Sequence, residues 1–295
     1  MDRTTIVRSL ELEYIERTML ESKLNATNVL AGRNIRRSTD RVSELLWLAP
    51  VLTYEGIILL NPLDENPQTF SEWSDAEQEL LFYKIHRDIE LHIYPSIRKL
   101  IGLLDDPRNS DTTETIDVLD EINAKLEFAV WKMGEMYRSL NKEAFSRFRP
   151  FFSGIESRSL GNEKYPGPSW ASSCIFPTLD ILLGIEKVAE LSKNAHAVRP
   201  ALSWNWYTTV LDMKEAEEKT SKFGNLYDIF AGNSELLWKL NRLTDTLRKF
   251  RMNHQWNVKK YLPQVFEGAG WTGWATNVPE YLGAIIHNTK SRISL

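Results

Sequence analysis

Apolar residues recur every three or four positions along most of this chain, a pattern that predicts amphipathic helices. The clearest example lies in residues 233–262, where one apolar stripe runs through Leu236, Leu240, Leu243, Leu247, Phe250, His254, Val258 and Tyr261. The same period predicts further helices over residues 75–105, 112–140, 171–192, 205–222 and 277–290. Alternating strand patterns are nearly absent. We therefore expect an all-α fold, a single large helical bundle.

Local signals refine one of these helices and predict one more. Ser74 to Glu77 has the form of a capping box, which predicts the start of the helix that contains Pro95. Residues 40–60 predict a more buried helix that breaks at Pro50.

No linker-like stretch interrupts the chain. We expect residues 1–70 to form an N-terminal helical segment packed on the core, and residues 71–295 to form the main helical domain.

Composition excludes several classes of function. The 36 Lys and Arg residues against 40 Asp and Glu give a net charge of -4, which argues against nucleic acid or an anionic membrane as partner. The single cysteine, Cys174, excludes an internal disulfide and fits a reducing cytoplasm. The longest apolar stretch, residues 45–60, is interrupted by Pro50 and Glu55 and is too short to span a bilayer. We expect a cytoplasmic protein without a membrane partner.

His254 is the polar member of the apolar stripe. A buried histidine must find hydrogen-bond partners or incur a cost of about 1–3 kcal/mol. His254 is either a core histidine bonded to a neighbouring group or an axial ligand to a buried haem iron. Ten Trp and twelve Phe residues suit a large flat ligand, and equally a bulky core.

Two arginines, Arg147 and Arg149, lie among four phenylalanines in residues 141–154. A guanidinium held by stacking on aromatic rings presents a fork to a carboxylate. The alternative is a surface arginine that lies over apolar neighbours.

Two loops carry small residues. Residues 165–174 include Gly167 and Ser169, and such a loop either lets the backbone approach a planar ligand or serves as a helix entry that Ser169 caps. Residues 268–277 are either a lid over a site or a turn between helices.

Together these segments resemble the indoleamine/tryptophan 2,3-dioxygenase superfamily of haem proteins, most closely its indoleamine branch. The resemblance covers roughly residues 75–290 and rests on the order and spacing of NKEAFSRFRPFFSG, GPSWASS with LDILLGI, LRKFRMNHQWNVKKYL and TGWATN. It implies a helical bundle that encloses a haem pocket. It also implies haem b as cofactor, with His254 as the iron ligand and Gly167 beside the haem. The residues that it assigns to the substrate are Arg149, Phe145, Ser169, Trp170 and Thr276.

The chain departs from the family pattern in two places. Pro168 and Trp170 stand where the family keeps small residues, which favours a natural-product branch over ordinary ring cleavage of tryptophan. Residues 75–80 hold no histidine of the tryptophan-dioxygenase type, whereas His86 and His92 follow on the same helix. Each of these two either approaches the pocket or is an exposed or satisfied helix residue.

The resemblance predicts haem-dependent oxygenation of a free aromatic amino acid, with tryptophan or a substituted tryptophan favoured and O2 or peroxide as oxidant. The alternatives are a haem-dependent tyrosine hydroxylase of the same superfamily, a non-catalytic haem-binding sensor and a helical scaffold. The number of oxygen atoms transferred and the oligomeric state, including a homo-oligomer, stay open.

Overall fold

The protein is represented by a computed structural model, which describes residues 12–13, 15–20, 54, 56–107, 112–152, 155–157, 163–165, 173, 175–185, 204–263 and 278–293. Residues 12–13 and 15–20 are helical. The helices that follow are α1 (Trp73–Gly102), α2 (Thr112–Ser139), α3 (Lys142–Phe148), α4 (Ile175–Leu183), α5 (Trp204–Phe223), α6 (Leu226–Ile229), α7 (Ser234–Tyr261) and α8 (Val278–Ile293). A short antiparallel pair, β1 (Ile155–Ser157) and β2 (Glu163–Tyr165), accompanies them. The predicted all-α fold is confirmed.

Helix α7 packs along α2 on one side and against α8 on another. Every member of its predicted stripe except His254 is buried, so the periodicity identified the core face correctly. Two asparagines fix the register of α7 on α2: Asn253 donates to the Val130 carbonyl at 3.1 Å and Asn257 to the Met133 carbonyl at 3.0 Å. These bonds satisfy polar groups inside the interface and hold α7 at a defined rotation.

Helix α1 packs on α2 as well, and a row of isoleucines faces the core: Ile85, Ile89, Ile93 and Ile97. Pro95 lies inside α1 without ending it. The predicted capping box is wrong, because α1 begins at Trp73 and Ser74 therefore lies within its first turn. Glu79 instead organises the chain before the helix, since its carboxylate accepts from the backbone N–H groups of Phe70 at 2.8 Å and Ser71 at 2.9 Å.

The described part of the N-terminal segment joins the same hydrophobic core, through Ile15, Met19, Tyr54 and Ile57. In the region predicted as a helix over residues 40–60, the structure describes Tyr54 and a π-helical turn, Gly56–Leu60. The break at Pro50 lies outside the described residues, and the division of the chain at residue 70 stays a prediction.

None of the helices in the described part of the chain is long and apolar enough to cross a membrane.

Candidate functional site

His254 lies in the second half of α7, on the face that carries Val258 and Tyr261. Part of the imidazole stays accessible, yet the surrounding protein removes most of its hydration. Burial and, to a smaller extent, the positive charge of Arg251 together lower the pKa of His254 to about 4. At neutral pH the imidazole is therefore uncharged, which is the state that binds a metal ion.

Arg251, one helical turn before His254, is a buried cation that sequence reasoning missed. Its guanidinium donates to Asp180 of α4 and to the Thr289 hydroxyl of α8, so three helices meet at this side chain. Burial and the Asp180 charge raise the pKa of the neighbouring Tyr281 to about 12. The segment that contains Asp180 belongs to one of the family-like motifs, LDILLGI. The arginine with which Asp180 pairs lies 71 residues further along the chain. The signal for Arg251 in the sequence was its position directly beside the apolar stripe of α7.

The structure separates the two candidate arginines. Arg147 is exposed and forms a two-bond ion pair with Asp75 of α1, at 2.5 and 2.7 Å. Arg149 begins a 3-10 turn, Arg149–Phe152, and its guanidinium lies 5.9 Å from the centre of the Phe152 ring. Burial lowers the pKa of Arg149 to about 10, so the group is desolvated yet still charged at neutral pH. Arg149 is therefore the candidate that fits a buried carboxylate site.

Phe145 is buried at the centre of an aromatic cluster that consists of Phe82, Phe145, Phe148, Phe152 and Tyr261. Its ring centre lies 5.6 Å from that of Phe82 on α1 and 5.3 Å from that of Tyr261 on α7. Helix α3 therefore bridges α1 and α7. Because Phe152 belongs to the same cluster, Arg149 lies at its edge. The predicted roles of Arg149 and Phe145 toward a substrate stay predictions.

The two histidines of α1 have different surroundings. His86 is buried, with its ring centre 4.2 Å from that of Phe82, and its Nδ1 lies 2.7 Å from the Phe82 carbonyl oxygen. Burial lowers the pKa of His86 to about 3, and the charge of His254 adds to the effect. His92 is exposed and packs on Phe128 at 4.4 Å. His86 therefore lies in the core, packed against Phe82, whereas His92 lies on the surface.

Gly167, Ser169, Trp170 and Thr276 lie outside the described residues. Their assigned contacts with cofactor and substrate stay predictions.

The described residues fit a haem. The porphyrin supplies four nitrogen ligands, so the protein needs to offer one neutral imidazole in an apolar setting, and His254 meets this requirement. The Arg251–Asp180 pair holds the turn of α7 before His254 in place.

Comparison with known proteins places these features in a family. The family model described as indoleamine 2,3-dioxygenase matches residues 10–264, a span that contains Phe145, Arg149 and His254 and ends before Thr276. The match begins well before residue 75, so the N-terminal segment carries family signal that the motifs did not show.

The human protein indoleamine 2,3-dioxygenase 2 (Homo sapiens) is 23% identical over 252 residues, which cover 78% of this chain and 61% of that protein. The chain thus spans less than two thirds of the length of the curated relative that it matches. Since the family model covers most of the chain, the conclusion is direct: the protein belongs to the indoleamine 2,3-dioxygenase family.

Proposed function

We propose that this protein is a haem b-dependent oxygenase that acts on a free aromatic amino acid, with tryptophan or a substituted tryptophan favoured. Family membership supports the cofactor and the class of reaction. The chain covers 61% of the human relative, so the activity itself is part of the proposal. We further propose that the protein acts in the cytoplasm on a small-molecule substrate.

His254 would hold the haem iron. Its neutral state at physiological pH means that no proton competes for the ligating nitrogen. The Arg251 ion pair with Asp180 fixes the preceding turn of α7, and so the backbone position of His254. The haem, when bound, supplies the oxygen chemistry.

The observation that carries the substrate proposal is the desolvated cation of Arg149 at the edge of the aromatic cluster. A substrate carboxylate would accept two hydrogen bonds from the guanidinium fork. The substrate ring would then lie toward Phe145, so that one end of the amino acid is clamped and the other packs on aromatic surface. Such positioning contributes to rate because it replaces a random encounter by a fixed orientation.

Binding of tryptophan and of tryptamine tests this role. Arg149→Ala should weaken tryptophan binding at least about tenfold, since a lost charge-assisted contact of about 1.4 kcal/mol equals a factor of ten. Arg149→Lys should recover little of this loss because it lacks the fork. Because tryptamine has no carboxylate, its binding should be nearly the same in wild type and in both Arg149 variants.

Arg147→Ala is the matched control, since that arginine is engaged with Asp75 on the surface. Equal losses for tryptophan and tryptamine in Arg149→Ala would make Arg149 a structural residue and remove the carboxylate site. A haem-binding sensor needs no such clamp, so amino-acid binding that depends on Arg149 also argues against that alternative.

Haem retention tests the ligand assignment. His254→Ala should lose most of its haem b absorbance while it keeps helical circular dichroism. His92→Ala should keep its haem, because His92 is an exposed histidine of α1. Full haem retention in His254→Ala would refute the role of His254.

Trp170 favours a second form of the chemistry, transfer of one oxygen atom to a substituted tryptophan or to tyrosine, as in natural-product branches of the superfamily. If the indole of Trp170 fills space beside the haem, it would displace the substrate ring, whereas an indole that turns outward would not. The product masses of wild type and Trp170→Gly decide between one and two transferred oxygens, and identical masses and selectivity would mean that Trp170 does not shape the pocket.

A further inference from the structure

Two buried side chains hold the short segment 68–71, which lies just before α1. Asn61 bonds to both backbone groups of Gln68, because its amide donates to the carbonyl at 2.8 Å and its oxygen accepts from the N–H at 2.9 Å. Glu79 of α1 accepts from the N–H of Phe70 at 2.8 Å and from that of the next residue at 2.9 Å. Since Asn61 is 1% exposed and Glu79 0%, these bonds are costly to break, and they fix the backbone of Phe70 from both sides.

The ring of Phe70 packs on the 3-10 turn that begins with Arg149. It is stacked on the ring of Phe151, with the ring centres 4.8 Å apart and the planes at 19°. Its centre also lies 5.7 Å from that of Phe152. The Arg149 guanidinium lies 5.9 Å from the same Phe152 ring. Phe152 therefore contacts both the held ring of Phe70 and the desolvated cation.

The turn between these contacts has little freedom of its own. Pro150 fixes its φ angle, and the N–H of Arg149 donates to the Phe145 carbonyl of α3. A short stiff turn transmits a displacement at one end to the other. The position of Phe151 and Phe152 against Phe70 therefore determines where the base of the Arg149 side chain lies.

We propose that Phe70 is a positioning residue for Arg149, and that it sets how strongly the site prefers ligands that carry a carboxylate. This inference rests on the carboxylate-binding role of Arg149 proposed above. The guanidinium fork makes two parallel hydrogen bonds only when it is aligned with the carboxylate, so a small shift of the turn weakens both. Contacts of the ligand with aromatic surface are less directional and depend less on this alignment.

The test measures binding of tryptophan and of tryptamine to haem-loaded full-length protein by calorimetry. Phe70→Leu keeps an apolar side chain but removes the flat ring, so the turn should shift. Tryptophan binding should weaken roughly three- to tenfold, whereas tryptamine binding should change less than about twofold. Phe230→Leu is the matched control and should leave both affinities unchanged, because Phe230 is similarly buried, 6% exposed against 4%, and follows α6, which packs on α4 and α7.

Glu79→Gln reaches the same turn by a second route and serves if the leucine variant folds poorly. A glutamine offers one acceptor oxygen where the carboxylate offers two, so the N–H groups of Phe70 and Ser71 lose one of their partners. This variant should also weaken tryptophan binding more than tryptamine binding.

A double variant separates positioning from a general structural effect. If Phe70 acts through Arg149, Phe70→Leu should add no further loss of tryptophan binding to that of Arg149→Ala. Losses that add, unchanged tryptophan binding in Phe70→Leu, or equal losses for tryptophan and tryptamine would overturn this proposal and leave the role of Arg149 intact. If Arg149→Ala itself weakens both ligands equally, the proposed carboxylate site is wrong and this inference is wrong with it.

Discussion

The ion pair between Arg251 and Asp180 gives the sharpest stability prediction. The side chain of Arg251 is 6% exposed and that of Asp180 12%, and the pair joins α7 to α4 one turn from His254. Asp180→Ala would leave a buried guanidinium without its carboxylate. Removal of one partner from a buried pair costs about 3–5 kcal/mol, because the remaining charge cannot regain its hydration. The bond from Arg251 to Thr289 persists, so we expect the lower half of this range.

Urea unfolding of haem-free protein, followed by circular dichroism, measures this loss without a contribution from cofactor binding. The matched control is Asp75→Ala, which breaks the ion pair with Arg147, whose side chain is 58% exposed. That surface change should cost less than about 1 kcal/mol. An apolar double replacement, Asp180→Leu with Arg251→Met, should recover much of the stability lost in Asp180→Ala. If Asp180→Ala and Asp75→Ala destabilise the protein equally, the buried pair is not an important constraint on α7.

Tyr261→Phe should cost about 1–3 kcal/mol of unfolding free energy, because the hydroxyl shares its one hydrogen among carbonyls at the end of α2 and lies 2.8 Å from that of Met136 and 3.0 Å from that of Leu140. Tyr137→Phe, at an exposed position, should cost almost nothing under the same urea assay, and equal losses would contradict the capping role. The haem-free protein should also lose stability as pH falls below about 6.5, since the folded pKa values of His254, about 4, and His86, about 3, lie below those of the unfolded chain. Each histidine contributes up to about 1.4 kcal/mol per pH unit, and a flat urea-stability profile between about pH 7 and 5.5 would contradict their burial in the neutral form.

The sequence was informative where a single helix carries the pattern. The stripe of α7 repeats every three or four residues, so both the helix and its buried face follow from local spacing, and His254 was identified within it. The helices over 112–140 and 205–222 were predicted for the same reason. The start of α1 was not predicted correctly. Ser74 and Glu77 fit a capping motif, but the backbone N–H groups before the helix donate instead to Glu79, and this arrangement depends on tertiary packing.

The surroundings of the candidate site residues could be determined only from the folded structure. Arg147 and Arg149 share one segment and one chemistry, and only the fold turns the first toward Asp75 and the second toward Phe152. In the same way, His86 and His92 belong to one helix, yet only His86 is buried. Such choices depend on contacts between residues far apart in the chain, and local patterns carry no information about them.

The central claim is that the protein oxygenates an aromatic amino acid with a haem held by His254. The most direct test incubates haem-loaded protein with tryptophan, a methylated tryptophan or tyrosine, under isotopically labelled oxygen or labelled peroxide, and weighs the products by mass spectrometry. We predict that at least one of these amino acids gains one or two labelled oxygen atoms, and that His254→Ala abolishes the gain. Haem-loaded protein that leaves every one of these substrates unlabelled with either oxidant would contradict the account.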